Sequence, residues 1–189
     1  MPRQAPFILI SCAFLACDQG AGRLHGDWLV AMDCKRIGEE KRFEPFDMSL
    51  DFASVNEQLG FAILRMSPSA RSIDKADQLV ITIDGVDTLR ERLAGEGAPI
   101  PLQADGQGEA DLTLTLLGRC THTTQALAAV GTLTFFDYGW KDGARIRGEM
   151  RFDLVDRRSG AIVGQGFAGD FDFESKTGSP HTAFSPKDY

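Results

Sequence analysis

The sequence predicts an all-β domain, an antiparallel β-sandwich or open barrel of about eight strands with at most one short helix. Apolar and polar residues alternate with period two through most of the chain beyond Asp27, the pattern of strands with one buried face. Asp-Gly and Ser-Gly clusters separate these runs at short intervals, which suits hairpins better than long crossovers. Helical spacing, by contrast, is confined to one brief stretch.

The elements follow in order. Trp28, Val30, Met32 and Cys34 alternate with Leu29, Ala31 and Asp33, and Met48, Leu50 and Phe52 alternate with Asp47, Ser49 and Asp51. Further strands are expected over residues 59–66, 78–84 and 110–117. The helix is expected over 86–93, stopped by Ala94-Gly95-Glu96-Gly97. The C-terminal half is clearest. A strand over 131–138 leads through Gly139-Trp140-Lys141-Asp142-Gly143 into another over 144–155. There Ile146, Gly148, Met150, Phe152 and Leu154 share one face, and Arg145, Arg147, Glu149, Arg151 and Asp153 the other. After the turn Asp156-Arg157-Arg158-Ser159-Gly160, a last strand over 161–173 turns Phe167, Phe171 and Phe173 inward. The domain is thus expected over 27–174, and the aperiodic residues 175–189 as a disordered tail.

The N-terminus is of a different kind. Arg3 precedes an apolar run from Ala5 to Ala16, followed by Cys17 and then small or polar residues. Twelve residues of helix span about 18 Å, too little for a hydrocarbon core of roughly 30 Å. The order of charge, apolar run and small residues is that of a secretory signal. Phe14-Leu15-Ala16-Cys17 resembles the lipobox of bacterial lipoprotein precursors, with Phe14 where Leu is usual. The resemblance implies a signal peptide over 1–16 and a diacylglycerol thioether on Cys17. An ordinary signal cut near Gly20-Ala21-Gly22 is the alternative. Residues 17–26, with Gly20, Gly22 and Gly26, read as the lipidated cysteine and a flexible tether. Asp18 resembles an inner-membrane retention signal, which implies the periplasmic side of that membrane in a bacterial cell envelope. Over about 45 residues, Gly131-Thr-Leu-Thr-Phe, Gly148-Glu-Met-Arg-Phe and Gly169-Asp-Phe-Asp-Phe resemble a hairpin pattern of uncharacterised proteobacterial lipoproteins. That pattern implies a fold and no function.

Charge and cysteines bound the partners. With 27 acidic against 20 basic residues the chain carries net −7, which argues against nucleic acid, whose affinity comes from Lys and Arg on phosphates. It argues equally against adsorption to anionic lipid, leaving the acyl chains as the anchor. Cys12 leaves with the signal and Cys17 takes lipid, so Cys34 and Cys120 are left as an even pair in an oxidising compartment. A bridge would close a loop of about 85 residues, worth about 4–5 kcal/mol by chain entropy; two separate buried thiols are the alternative.

No nucleophile elbow, phosphate loop, His-Glu-x-x-His or dinucleotide fingerprint is present. Asp170, Asp172 and Glu174 on one strand face read as a solvated surface paired with Arg145, Arg147 and Arg151. The run from Asp105 to Asp111 lacks the calcium-loop pattern, and Cys120-Thr-His122 lacks further ligands; no metal or cofactor is expected. Tyr138 and Trp140 at a hairpin tip form a possible binding surface for a protein or glycan. The expected protein is therefore a membrane-anchored envelope lipoprotein with a non-catalytic binding or structural β-domain. The alternatives are a lipocalin-like carrier of a small apolar ligand and a carboxylate-dependent hydrolase.

Overall fold

The computed structural model describes residues 20–31, 42–68, 77–93, 97–116 and 127–175. These form ten strands and one helix: β1 Gly20–Ala31, β2 Arg42–Leu50, β3 Phe52–Gln58, β4 Phe61–Ser67, β5 Gln78–Asp84, α1 Val86–Arg92, β6 Ala98–Leu102, β7 Ala110–Thr115, β8 Leu127–Tyr138, β9 Arg145–Val155 and β10 Ile162–Glu174. All ten strands belong to a single sheet, in the order β2-β1-β10-β9-β8-β6-β7-β5-β4-β3. The all-β expectation holds, but the strands number ten and the sheet is one nearly closed barrel.

The difference from eight has two sources. β2 and β3 stand at opposite ends of the strand order yet are separated only by Asp51, whose N–H bonds the Ser67 carbonyl at 3.0 Å. They are one bent ribbon that shuts the barrel in the chain direction. β6 is the second source. It is antiparallel to β8 over Ala98–Leu102, meets β7 only at Leu102–Ala110, and so wedges between strands that pair directly higher up, at Thr113–Ala128. The remainder is an up-and-down meander that ends where it began, β10 lying against β1.

Local chemistry explains most of the pattern. β9 alternates without fault: Ile146, Gly148, Met150, Phe152 and Leu154 point inward, with charged residues outside. Asp156 closes the β9–β10 turn by accepting the N–H groups of Ser159 (3.1 Å) and Arg158 (2.7 Å), and these bonds hold its carboxyl below the usual range. Pro99 and Pro101 face outward from β6, where alternate positions can lack an N–H without breaking the inward row Ala98, Ile100 and Leu102. That row is short and proline-spaced, and the sequence reading passes over it. Every strand and α1 contribute to one apolar cluster. Inside it Phe167 stacks on Phe152 with centroids 5.3 Å apart and meets Phe46 at 5.3 Å, while Phe171 meets Phe135 edge-on at 5.8 Å.

Three expectations are corrected. Residues 20–26 are not a tether but the first half of β1, between β2 and β10. Their glycines serve close packing: a Cβ on Gly22 would lie 2.7 Å from the Asp170 carbonyl oxygen, and one on Gly26 2.9 Å from the Phe167 ring. Trp28 does not join the core. A register shift between Gly26 and Leu29 turns Leu29 inward and leaves Trp28 half-buried, edge-on to Phe43 at 5.1 Å. Phe52 likewise leaves the face of Met48 and Leu50, because the bend at Asp51 resets the inward set to Ala53 and Val55.

Candidate functional site

Because neighbouring strands alternate in direction, one rim of the barrel gathers the start of β1, the end of β10, the β3–β4 turn, α1 and the β8–β9 loop. Leu59 and Gly60 form the two-residue β3–β4 turn with φ of 52° and 80°, the positive pair of a type I′ hairpin. The Gly60 carbonyl accepts the N–H groups of Gly85 (3.1 Å) and Val86 (3.0 Å), which fixes the start of α1 on this turn. Val86 and Leu89 are buried in the common cluster, so α1 lies across the rim. On the other side Gly143 donates to the Ser175 carbonyl (3.0 Å) and Ser175 to that of Ala144 (2.6 Å), tying the β8–β9 loop to the end of β10.

Three polar side chains meet here. Glu57 continues the inward row of Ala53 and Val55, and its side chain is only 11% exposed. Tyr138 reaches the same space because a register shift between Phe135 and Asp137 sends Asp137 outward to Arg147 (2.9 Å) and aligns Tyr138 with the inward Ile146. Arg90 comes from α1. Its Nη2 donates to both Glu57 oxygens, at 2.7 and 2.5 Å, and the Tyr138 hydroxyl donates to Oε2 at 3.1 Å. The Arg90 guanidinium lies 5.6 Å from the Tyr138 ring centre. The network joins β3, α1 and β8. Its chemistry is that of a brace: both Glu57 oxygens are engaged, and Tyr138 is a donor.

The pH response follows. Burial first, then the charge and hydrogen bond of Glu57, lift the Tyr138 phenol above its ordinary value of 10.0 in the folded chain. The folded state then holds this proton longer than the unfolded state. Its contribution is fully present below pH 10 and is lost as pH climbs past the unfolded value toward the folded one. Tyr138→Phe is expected to cost about 1 kcal/mol at pH 7 for the lost hydrogen bond and to flatten the fall in stability above pH 10. Urea melts at pH 7 to 11 check both; an unchanged alkaline slope would contradict the network.

The two aromatics expected to act together are separated by the fold. Tyr138 turns into the barrel, whereas Trp140 stays 39% exposed in the loop with the Lys141 Nζ 5.9 Å from its ring centre. Leu59, fully exposed, and Phe61 and Phe136, at 40% each, are exposed on the same half of the barrel. A shallow groove of about 540 Å³ beside the start of β1 is lined by the Arg145–Asp172 ion pair, which holds the Asp172 carboxyl below the usual range, and by Glu174. The run from Asp105 to Asp111 resolves into turn and ion-pair contacts: Asp105 accepts the Gln107 N–H (3.1 Å), Glu109 pairs with Arg92 (2.6 Å) and Asp111 with Arg157 (2.5 Å). Among the described residues no cluster of three or more His, Cys, Asp or Glu could hold a metal. Cys17, Cys34, Cys120 and His122 lie outside the described residues, as do the expected signal peptide and tail residues 176–189. Sequence reasoning missed Glu57 and Arg90. An ionisable residue continuing the inward register after Val55 was the available signal, hidden because 52–58 did not read as a strand.

The geometry defines a class alone: a single antiparallel β-domain, nearly closed, with a braced rim. No protein-family model matches the chain, and neither curated proteins nor solved structures yield a match.

Proposed function

We propose that this protein is a lipid-anchored module of a bacterial cell envelope, held by acyl chains on Cys17, whose β-domain acts without catalysis as a binding or structural part. The observation that carries the reading is the position of β1. Gly20, in β1, lies three residues beyond the cysteine that resembles a lipobox acceptor, and β1 is locked between β2 and β10. Along β9, charge outside and apolar side chains inside suit a strand whose outer face stands in water, the inverse of the apolar outer band of a membrane-spanning barrel. Among the described residues no helix is long and apolar enough to cross a membrane. Acyl chains are then the anchor, with Asp18 favouring the periplasmic side of the inner membrane. Phenylalanine rings meeting inside the barrel favour a module working through its surface over a carrier of an apolar ligand. Glu57, braced by Arg90 and Tyr138, favours it over a hydrolase. The partner is an envelope protein or glycan.

A Cys34–Cys120 bridge belongs to the same reading. Cys34 falls in sequence between β1 and β2 and Cys120 between β7 and β8, and the flanking ends of those four strands lie at the end of the barrel opposite the rim. One non-reducing peptide map of the protein from its own envelope tests both assignments. It should return an acylated peptide starting at Cys17 and a linked Cys34–Cys120 pair. An unmodified Cys17 overturns the anchor, and two free thiols overturn the bridge.

A further inference from the structure

We infer that the braced rim is a membrane-contact surface: Leu59 and Trp140, with Lys141, bed into the headgroup region of the bilayer that holds the anchor and fix the upright stance of the domain. The inference rests on acylation of Cys17.

Three observations lead there. The first is reach. Cys17 and Gly20 are three Cα steps apart, and at 3.80 Å per step this chain spans at most about 11 Å. The rim where β1 starts therefore cannot stand further than that from the acylated residue. The second is Leu59. It occupies the first position of a type I′ turn, where positive φ favours Asn, Asp or Gly, and its side chain is wholly exposed. A leucine there is unfavourable twice in water, by conformation and by hydration; only an apolar surrounding offsets the second cost. The third is the pairing of Trp140 with Lys141. An indole beside an ammonium is the composition that settles at a membrane interface, ring at headgroup depth and cation toward phosphate.

The Glu57–Tyr138 bond joins these observations. Glu57 stands two residues before Leu59 and Tyr138 two before Trp140, so one hydrogen bond of 3.1 Å ties the roots of both tips. Arg90 braces the pair from α1, and Gly143 and Ser175 fix the far side of the Trp140 loop to the strand beside β1. The tips are thus rigidly placed relative to the strand end beside the start of β1. The overall acidity of the chain opposes spontaneous adsorption to anionic lipid. Contact is then expected only after acylation has brought the rim to the surface.

The two tryptophans make the test direct. Trp28 lies eight residues up β1, roughly 25 Å along the strand at about 3.3 Å per residue, and serves as a distant control. Acylated protein is reconstituted into phosphatidylcholine–phosphatidylglycerol vesicles, with and without bromine on shallow acyl carbons. Emission from Trp140, isolated as wild type minus Trp140→Phe, should fall at least two-fold in brominated vesicles. Emission from Trp28 in the Trp140→Phe protein should not change. Leu59→Asn, which suits the turn, should at least halve the Trp140 quenching while leaving the acyl group in place. If Cys17 is acylated and Trp140 is quenched no more than Trp28, the rim inference fails while the anchor stands. If intact mass finds no acyl group on Cys17, the anchor itself fails.

Discussion

Phe167→Ala is expected to lower the stability of the domain by about 3–5 kcal/mol, the cost of emptying a large aromatic site that its surroundings cannot refill. The site is constrained on every side. Phe152 stacks on one face of the ring and Phe46 meets it at a tilt, both at 5.3 Å. Gly26 and Gly164 come so close that a Cβ on either would lie 2.9 or 2.7 Å from ring carbons, so their backbones sit on the ring itself. Strands β1 and β10 cannot close over the void without breaking the pairing of Trp28 with Gln165 and Leu29 with Gly164. Since domains of this size have roughly 5–15 kcal/mol in total, much of the folded population is at stake. Urea midpoints measure the loss, with Phe136→Ala as the half-exposed comparison, expected to cost clearly less. A loss below about 1 kcal/mol at Phe167 would mean that these rings do not hold the barrel together.

The second large effect concerns location. Cys17→Ala is expected to abolish acyl labelling and move the protein from the membrane fraction to the soluble one. Each buried methylene is worth about 0.8 kcal/mol, so two or three long chains hold firmly while one is marginal. The outer face of β9 is charged and the described helix is one of seven residues. The rim contact of Leu59 and Trp140 orients the domain but is too small to retain it. Labelling with a fatty-acid probe, followed by fractionation, decides the matter; full membrane retention of the alanine variant would defeat the anchor.

Most of the fold is legible in the sequence wherever one strand face meets one core. β9 and β10 are read nearly to their ends, and β8 from Gly131 onward, because Ile146, Met150, Phe152, Phe171 and Phe173 keep step with the pleat. Legibility fails where the chain departs from that periodicity. The bulge after Gly26 removes Trp28 from the core, and the bend at Asp51 removes Phe52. Two prolines mask β6, whose outward positions need no N–H of their own. Glycines that look like a tether are close-packing positions in β1, a distinction that depends on Phe167 and Phe171 lying more than 140 residues away.

The candidate site shows the same division. Trp140 is an exposed aromatic in a Gly- and Asp-rich loop, and that much is local. Tyr138, two residues earlier, turns inward through a bulge and finds Glu57 some 80 positions upstream and Arg90 on a separate helix. No spacing rule joins those three. By itself the sequence determined the all-β class, the inward phenylalanines of the last strands, the short helix and the charged outer face, because each depends on neighbours one or two residues away. Only the tertiary structure decided that β2 and β3 shut a barrel, that β6 wedges between β7 and β8, and that Leu59 and Trp140 share the rim at which β1 begins. Those facts depend on which strands pair, and pairing is settled by the burial of all the inward faces at once.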